Sequence, residues 1–307
     1  MEIFMKSQLI GGCIDAPVII HGCWRTGDLS QKQSDELLMT ALENGIDYID
    51  TADIYGGGNS EKLLGQSVKN CIDREKIKIQ TKCAIHDGLY DFSYDYIIQA
   101  VDKSLKRLNT DYIDTLLLHR PDALMEPEEV AHAFEKLISE GKVRHFGVSN
   151  HSSYQMQILQ KYVPMKLIAN QLQFSVTNSS MIDFGMNVNV EHEPATDRDG
   201  GILDYCRLND ITIQAWSPLQ YGVFEGCFLD SEKYPHLNAA LQNFADEHAI
   251  TKAAAAFAWI LRHPAKIQPI CGSTNPQHLK EICAAADVEM TRAEWYEIYR
   301  SAGNRIL

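Results

Sequence analysis

A chain of 307 residues that is 45% hydrophobic and 22% charged can bury a large core, which excludes a disordered or low-complexity protein. Its net charge of −13 and pI near 5.3 argue against nucleic-acid partners and anionic membrane surfaces, though not against a local basic pocket. The longest apolar stretch, 253–261, is too short for a bilayer span, residues 1–10 lack the apolar segment of a signal peptide, and eight cysteines without a C-x-x-C pair read as reduced, buried thiols of a cytoplasmic protein.

In chain order, residues 5–12 and 14–20 alternate around Gly11-Gly12 and predict an N-terminal hairpin. Residues 18–24 predict a first core strand ending at Trp24, and 34–43 a helix stopped by Asn44-Gly45. A second strand covers 48–52, a helix 60–70, a third strand 77–83 and a helix 95–108 with Val101, Leu105 and Leu108 at helical spacing. The near-continuous apolar run 112–119 has the look of a strand buried on both faces, as in parallel sheets. Helix 128–139, strand 143–149, helix 152–161 and strand 167–174 follow. Residues 176–200, rich in Asn, Asp and Gly, read as a long loop, then helix 201–208 and strand 211–216. A second long loop covers 217–235, followed by helices 237–248 and 252–262. The last strand is 267–272, its helix 276–285, and a final helix 291–300 opens with Thr291 and Glu294 at capping-box spacing.

Eight strand–helix units at a period of roughly 30 residues predict a parallel sheet, and in this length its closure into a (β/α)8 TIM barrel. The hairpin and the extra C-terminal helices complete a single domain, 1–307. No G-x-G-x-x-G follows the first strand, so a dinucleotide would not sit on a Rossmann unit.

Asp50, Lys82 and His119 each fall at the C-terminal end of a predicted strand, and Tyr55 follows in the loop that leads to Gly56-Gly57-Gly58. In a barrel these positions share the rim that carries active sites. Singly, each fits a structural role: a satisfied ion pair, a packed tyrosine. Together they make a proton-donating set: an ammonium beside a phenol lowers the phenol's pKa, a carboxylate fixes the ammonium, and an imidazole can orient a carbonyl oxygen.

The segment Asp50-Thr51-Ala52…Tyr55-Gly56 with Glu61 and Gly65, then Thr81-Lys82 and Leu116-Leu117-Leu118-His119, resembles the aldo-keto reductase signature. So do the run from Gly141 to Asn150, Gln171, and Trp216-Ser217-Pro218-Leu219. The spacing is similar to bacterial single-chain members near the stress-protein and potassium-channel β-type reductases. The resemblance implies an NADP(H)-dependent reductase of aldehyde or ketone carbonyls. In it the Tyr55 position donates the proton, Asp50 and Lys82 tune it, and His119 orients the carbonyl. Ser149, Asn150 and Gln171 would bind the nicotinamide carboxamide, Trp216 would stack on its ring, and Ser217 and Leu219 would join the cofactor wall.

The run from Gly272 through Ser273, Thr274 and Asn275 enters a helix N-terminus, a ready anion site where the resemblance places the adenosine 2′-phosphate. Glycine and His278 stand where many family members carry lysine or arginine, and Lys280 is the nearest lysine, so NAD(H) use gains weight. Taken alone, Ser273 and Thr274 read as an ordinary helix cap; their place after the eighth strand raises the anion site above that.

Trp24 is expected to line the substrate pocket, with plain packing at the barrel mouth beside that reading. The long loops are expected to close over cofactor or shape the pocket. Glu191-His192-Glu193 reads as solvated loop rather than a metal site. Cys23, Cys83 and Cys271 near the rim read as buried small hydrophobes rather than redox-sensitive thiols. Two rival functions stand beside the reductase: a cofactor-binding redox sensor with slow turnover, and a barrel hydrolase using Asp50 and His119.

Overall fold

The computed structural model describes residues 5–306; part of the signal-peptide expectation, residues 1–4, lies outside them. Eight parallel strands close into a barrel: β1 Ile20–Gly22, β2 Tyr48–Asp50, β3 Lys78–Cys83, β4 Ile113–Leu118, β5 Val143–Ser149, β6 Leu167–Gln173, β7 Thr212–Trp216 and β8 Gln268–Cys271. Each strand pairs with the next, and β8 returns to β1 through Ile270 opposite Ile20. The surrounding helices are α1 Gln31–Glu43, α2 Asn59–Cys71, α3 Tyr94–Leu108, α4 Pro127–Ser139 and α5 Ser153–Tyr162. They continue with α6 Ser180–Met186, α7 Ile202–Leu208, α8 Pro235–His248, α9 Lys252–Leu261, α10 Pro276–Cys283 and α11 Arg292–Ser301.

The helices form where apolar residues recur on one face and polar side chains cap the ends. In α3, Ile97, Ala100, Val101, Ser104, Leu105 and Leu108 turn inward, Ser93 accepts from the Tyr96 N–H, and Asn109 ends the helix in a left-handed conformation. Thr291 and Glu294 close a capping box at α11, as their spacing predicts, and so do Ser30 with Gln33 and Ser152 with Gln155. The last helix, α11, is locked to α9 by a reciprocal pair. The Trp259 indole donates to the Trp295 carbonyl (3.1 Å), the Trp295 indole to the Trp259 carbonyl (3.0 Å), and the rings stack at 4.8 Å.

The hairpin strands Ser7–Ile10 and Ile14–Pro17 plug the N-terminal end of the barrel. Ile10, Ile14 and Ala16 pack with Ile20, Tyr48, Leu117, Ile168 and Ile270 in a cluster separate from the main core. Gly11 at the hairpin tip has φ +57°, and a Cβ there would lie 2.4 Å from the Ile168 Cβ, so both conformation and space require glycine. Its N–H donates to Thr212 Oγ1 (3.0 Å) and its carbonyl accepts from Lys166 Nζ (2.9 Å).

Several expectations need correction. The first barrel strand is only Ile20–Gly22, and Trp24 lies beyond it. Residues 176–200 are not all loop: they contain α6 and a single 3-10 turn, Glu193–Ala195. There Glu193 pairs with Arg198, and His192 Nε2 lies 3.0 Å from Asn187 Oδ1. Residues 217–235 carry a hairpin of two-residue strands, Gln220–Tyr221 with Gly226–Cys227, and another, Ile85–His86 with Leu89–Tyr90, follows β3. Strands of two residues carry too few alternations to register as a periodic pattern. No helix among the described residues is long and apolar enough to cross a membrane.

Candidate active site

β2 ends on Asp50, and the chain then turns sharply. The turn is tied to its neighbour strand: Thr51 N–H donates to the Gln80 carbonyl (2.8 Å) and Asp53 N–H to the Lys82 carbonyl (3.1 Å). Tyr55 opens a short 3-10 turn, and Gly56, Gly57 and Gly58 take φ of 56°, 62° and 88° in succession. Three left-handed residues in a row are open only to glycine at low strain, and they bring the phenol back over the barrel.

On β3, Gln80 and Lys82 turn into the barrel while Thr81 between them faces outward, as strand alternation requires. Thr81 donates to Glu61 Oε1 (2.6 Å) under α2, and Arg107 holds the other Glu61 oxygen (2.6 Å). Lys82 is 0% exposed. Its Nζ donates to Asp50 Oδ2 (2.8 Å), the Thr51 carbonyl (2.8 Å) and the Tyr55 hydroxyl (3.2 Å), which accounts for all three of its protons. His119 follows directly on β4 and extends the ladder through its N–H to the Cys83 carbonyl (2.9 Å). Its ring sits edge-on to Tyr55 with centroids 5.8 Å apart. The four residues singled out from the sequence therefore meet in one place.

The electrostatics differ from the expectation in one respect. Tyr55 was expected to be acidified by its ammonium neighbour; burial outweighs Lys82, with Asp50 adding to it, and the phenol pKa is raised. Tyr55 is thus firmly protonated at neutral pH. Burial pulls the Lys82 pKa down, but Asp50 and then Tyr55 outweigh it and hold the ammonium charged. His119 is pushed well below the usual histidine range by burial, with Lys82 and Arg120 adding to the effect, so it is a neutral imidazole. The thiols of Cys23 and Cys271 are raised by burial to about 12 and about 11, and Cys83 also lies well above its usual value, as inert buried thiols do.

Above this cluster opens a cavity of about 670 Å³ whose wall continues past Ser149, Asn150, Gln171 and Trp216 to Gly272, Ser273 and His278. Ser149 Oγ donates to the Gln171 carbonyl (3.0 Å), Asn150 Nδ2 to Ser149 Oγ (2.7 Å), and the Trp216 indole to Asn150 Oδ1 (3.1 Å). Ser217 and Leu219 lie on the wall. Trp24 stands at the mouth, 44% exposed, with its ring 5.1 Å from Phe224. Thr274 and Asn275 do not line the cavity: Thr274 is exposed, and Asn275 caps α10 by accepting from the Gln277 N–H (2.9 Å). Lys280 is also off the wall, where His278 and the unexpected Glu281 stand instead.

A dinucleotide fits this wall on two observations. His119 Nδ1 and Gln220 Oε1 are buried polar atoms of lining residues that have no hydrogen-bond partner. A Cβ added to Gly272 would meet nothing within 4 Å, so the space over the strand-to-helix turn is open to a ligand.

Residues 18–302 match the Aldo/keto reductase family. The chain belongs to this family. It is 35% identical to the 6-dehydroglucose reductase of Agrobacterium fabrum, covering 92% of this chain and 93% of the relative. It is equally 35% identical to the uncharacterized oxidoreductase YcsN of Bacillus subtilis, covering 92% of each. An aldo/keto reductase from Klebsiella pneumoniae, crystallised with NADP and acetate, superposes with a TM-score of 0.76 at 25% identity, covering 96% of this chain and 95% of that one. This family member thus shares the closed barrel of its structural neighbours.

Sequence reasoning missed Gln80, Gln214 and Gln268, each 0% exposed inside the barrel. It also missed Arg25 and Arg120 on the cavity wall. A glutamine at an inward position of an apolar strand was the available signal: a buried amide needs partners.

Proposed function

We propose that this chain is an NADP(H)-dependent oxidoreductase of the CH–OH class that reduces aldehyde or ketone carbonyls, with residues 1–307 working as one barrel domain. The observation that carries this reading is the buried Lys82 Nζ standing between Asp50 Oδ2 (2.8 Å) and the Tyr55 hydroxyl (3.2 Å), two residues that line the long cavity.

When bound, the nicotinamide supplies the hydride. Tyr55 delivers its proton to the carbonyl oxygen as negative charge builds there. Lys82 already donates to the Tyr55 oxygen, so it stabilises the phenolate left behind, and Asp50 keeps Lys82 in place. The neutral His119 carries one N–H and uses it to hold the carbonyl oxygen in line with Tyr55. Ser149, Asn150, Gln171, Trp216, Ser217 and Leu219 hold the nicotinamide half, and Gly272, Ser273 and His278 receive the phosphate end. Thr274 contributes only through backbone near the helix start, and Asn275 through its cap. Trp24 closes the substrate side.

A slow redox sensor has no need of such a complete proton relay, so turnover is the better supported function. The acidic surface and eight free cysteines support a cytoplasmic site of action on a small molecule.

The test is a panel of carbonyl compounds followed by loss of NADPH absorbance, with NADH alongside. Sugar-derived aldehydes head it, given the name of the Agrobacterium relative. Tyr55→Phe should bind cofactor as the wild type does and lose turnover by about 10³-fold or more. Near-normal turnover in that variant would remove Tyr55 as the proton donor.

A further inference from the structure

Inside the barrel, at the cavity floor and below it, four glutamines from four strands join in one branched network. Strand register brings them together: Asp50 on β2 lies opposite Gln80 on β3, and Gln171 on β6, Gln214 on β7 and Gln268 on β8 are successive partners. Gln80 Nε2 donates to Asp50 Oδ1 (2.7 Å) and to Gln214 Oε1 (2.8 Å). Gln171 Nε2 donates to the same two oxygens, at 2.9 and 3.3 Å. Gln214 Nε2 in turn donates to Gln268 Oε1 (3.2 Å), and Gln268 Nε2 to the Pro17 carbonyl of the hairpin (2.5 Å). All four side chains are at most 2% exposed.

An amide can sit either way up, and the partners decide which. Here the far end settles every member. The Pro17 carbonyl can only accept, so Gln268 must present its NH2 there and its oxygen to Gln214. Gln214 must then offer its NH2 to Gln268, leaving its own oxygen for Gln80 and Gln171. Those two meet acceptors on both sides, Gln214 Oε1 and Asp50 Oδ1, so each spends both protons of its NH2. The Tyr48 hydroxyl lies 2.8 Å from Thr115 Oγ1 and 3.1 Å from Gln80 Oε1; accepting from Thr115 leaves its one proton for the Gln80 oxygen, which is compatible with the assignment. Reversing any one amide would set oxygen against oxygen or nitrogen against nitrogen in a buried site.

We propose that Gln80, Gln214 and Gln268 are positioning residues, an amide chain anchored on the hairpin that orients Asp50 from below and commits Gln171 to present its carbonyl oxygen, and not its NH2, to the cavity. Resting on the nicotinamide reading above, the inference gives Gln171 a defined task. A carboxamide NH2 finds an acceptor there, and the opposite orientation of the ring would meet no donor. The hairpin, at the opposite end of the barrel from the cavity, thereby acts on the orientation of the bound ring.

The experiment compares the whole cofactor with a fragment that lacks the nicotinamide. Kd values for NADPH and for adenosine 2′,5′-bisphosphate are measured on the wild type, Gln214→Met and Gln268→Met, with thermal unfolding to verify that each variant is folded. The expected result is a rise of about tenfold in the NADPH Kd of Gln214→Met, a smaller rise for Gln268→Met, and a bisphosphate Kd within about twofold of wild type in both. Gln80→Met, which strips a donor from Asp50, should also lower kcat by about tenfold more than it changes KM. Equal weakening of both ligands, or no change in either, overturns the proposal. If the methionine variants are recovered unfolded, Gln268→Asn, which keeps an amide but is too short to bridge Pro17 and Gln214, decides by the same two titrations, with the same selective rise in the NADPH Kd expected. A wild type that binds neither ligand would instead sink the cofactor reading itself.

Discussion

At the end of the cavity built on β2, β3 and β6, Asp50, Lys82 and Gln171 are 3%, 0% and 2% exposed, and both Asp50 oxygens accept from protein donors. At the α10 end, Ser273 is half-buried, His278 is exposed, and the hydrogen bonds of Ser273 stay within its own turn, with Asn275. The first end is assembled from several strands and finished before any ligand arrives. The second offers backbone N–H groups, a hydroxyl and an imidazole, with a carboxylate, Glu281, beside them. Preorganised donors are what a developing charge needs, because they do not have to reorganise during the reaction. An anion that merely docks can be met by a helix terminus and water.

That contrast is most easily broken at Lys82. Lys82→Met leaves the Asp50 carboxylate buried without its cation, and it should cost about 3 kcal/mol of stability and lower kcat by about 10²-fold or more. Urea unfolding and steady-state rates measure the two effects. Loss of stability with unchanged kcat would reduce the Lys82–Asp50 pair to a structural ion pair. The opposite end should respond more gently. His278→Arg adds a permanent, bidentate cation, and the NADPH-over-NADH preference in kcat/KM should rise by about tenfold. An unchanged ratio would mean that the 2′-phosphate does not approach α10.

The smallest effect is expected from Asp53, between the two catalytic segments. Burial, then repulsion from Glu61, raises its pKa to about 7, and its Oδ1 has no partner. The folded state therefore holds this proton more tightly than the unfolded chain, whose aspartate titrates near about 4. The stability this gives is full below about pH 4 and is lost as pH rises towards about 7. Asp53→Asn should remove that slope and be the more stable protein above about pH 7, by about 1 kcal/mol. A melting-temperature series across pH with parallel curves for both proteins would remove Asp53 as its source.

Much of this architecture was legible in the sequence because its causes are local. The near-continuous apolar run 112–119, caps such as Thr291 with Glu294, and the Asn44-Gly45 stop announce elements from adjacent residues. Asp50, Lys82 and His119 could be assigned to one rim because strand ends in a parallel barrel share a face, whatever lies between them in the chain. The α6 helix was hidden in a polar stretch, since part of its support comes from afar: the Tyr299 hydroxyl of α11 donates to Asp183 (2.5 Å). Thr274 and Asn275 looked equal to Ser273 in sequence; the path of the turn left only Ser273 on the wall.

The sequence by itself determined the order of the barrel strands and the helices between them, the closed parallel barrel and the four polar groups at its rim, because periodicity and caps act over a few residues. Only the tertiary structure decided that Tyr55 is made less acidic, and that Gln80, Gln171, Gln214 and Gln268 form one directed chain. Desolvation depends on everything packed around a group. Which amide faces which depends on the register of strands separated by 134 residues, as between Gln80 and Gln214, and no local pattern encodes either.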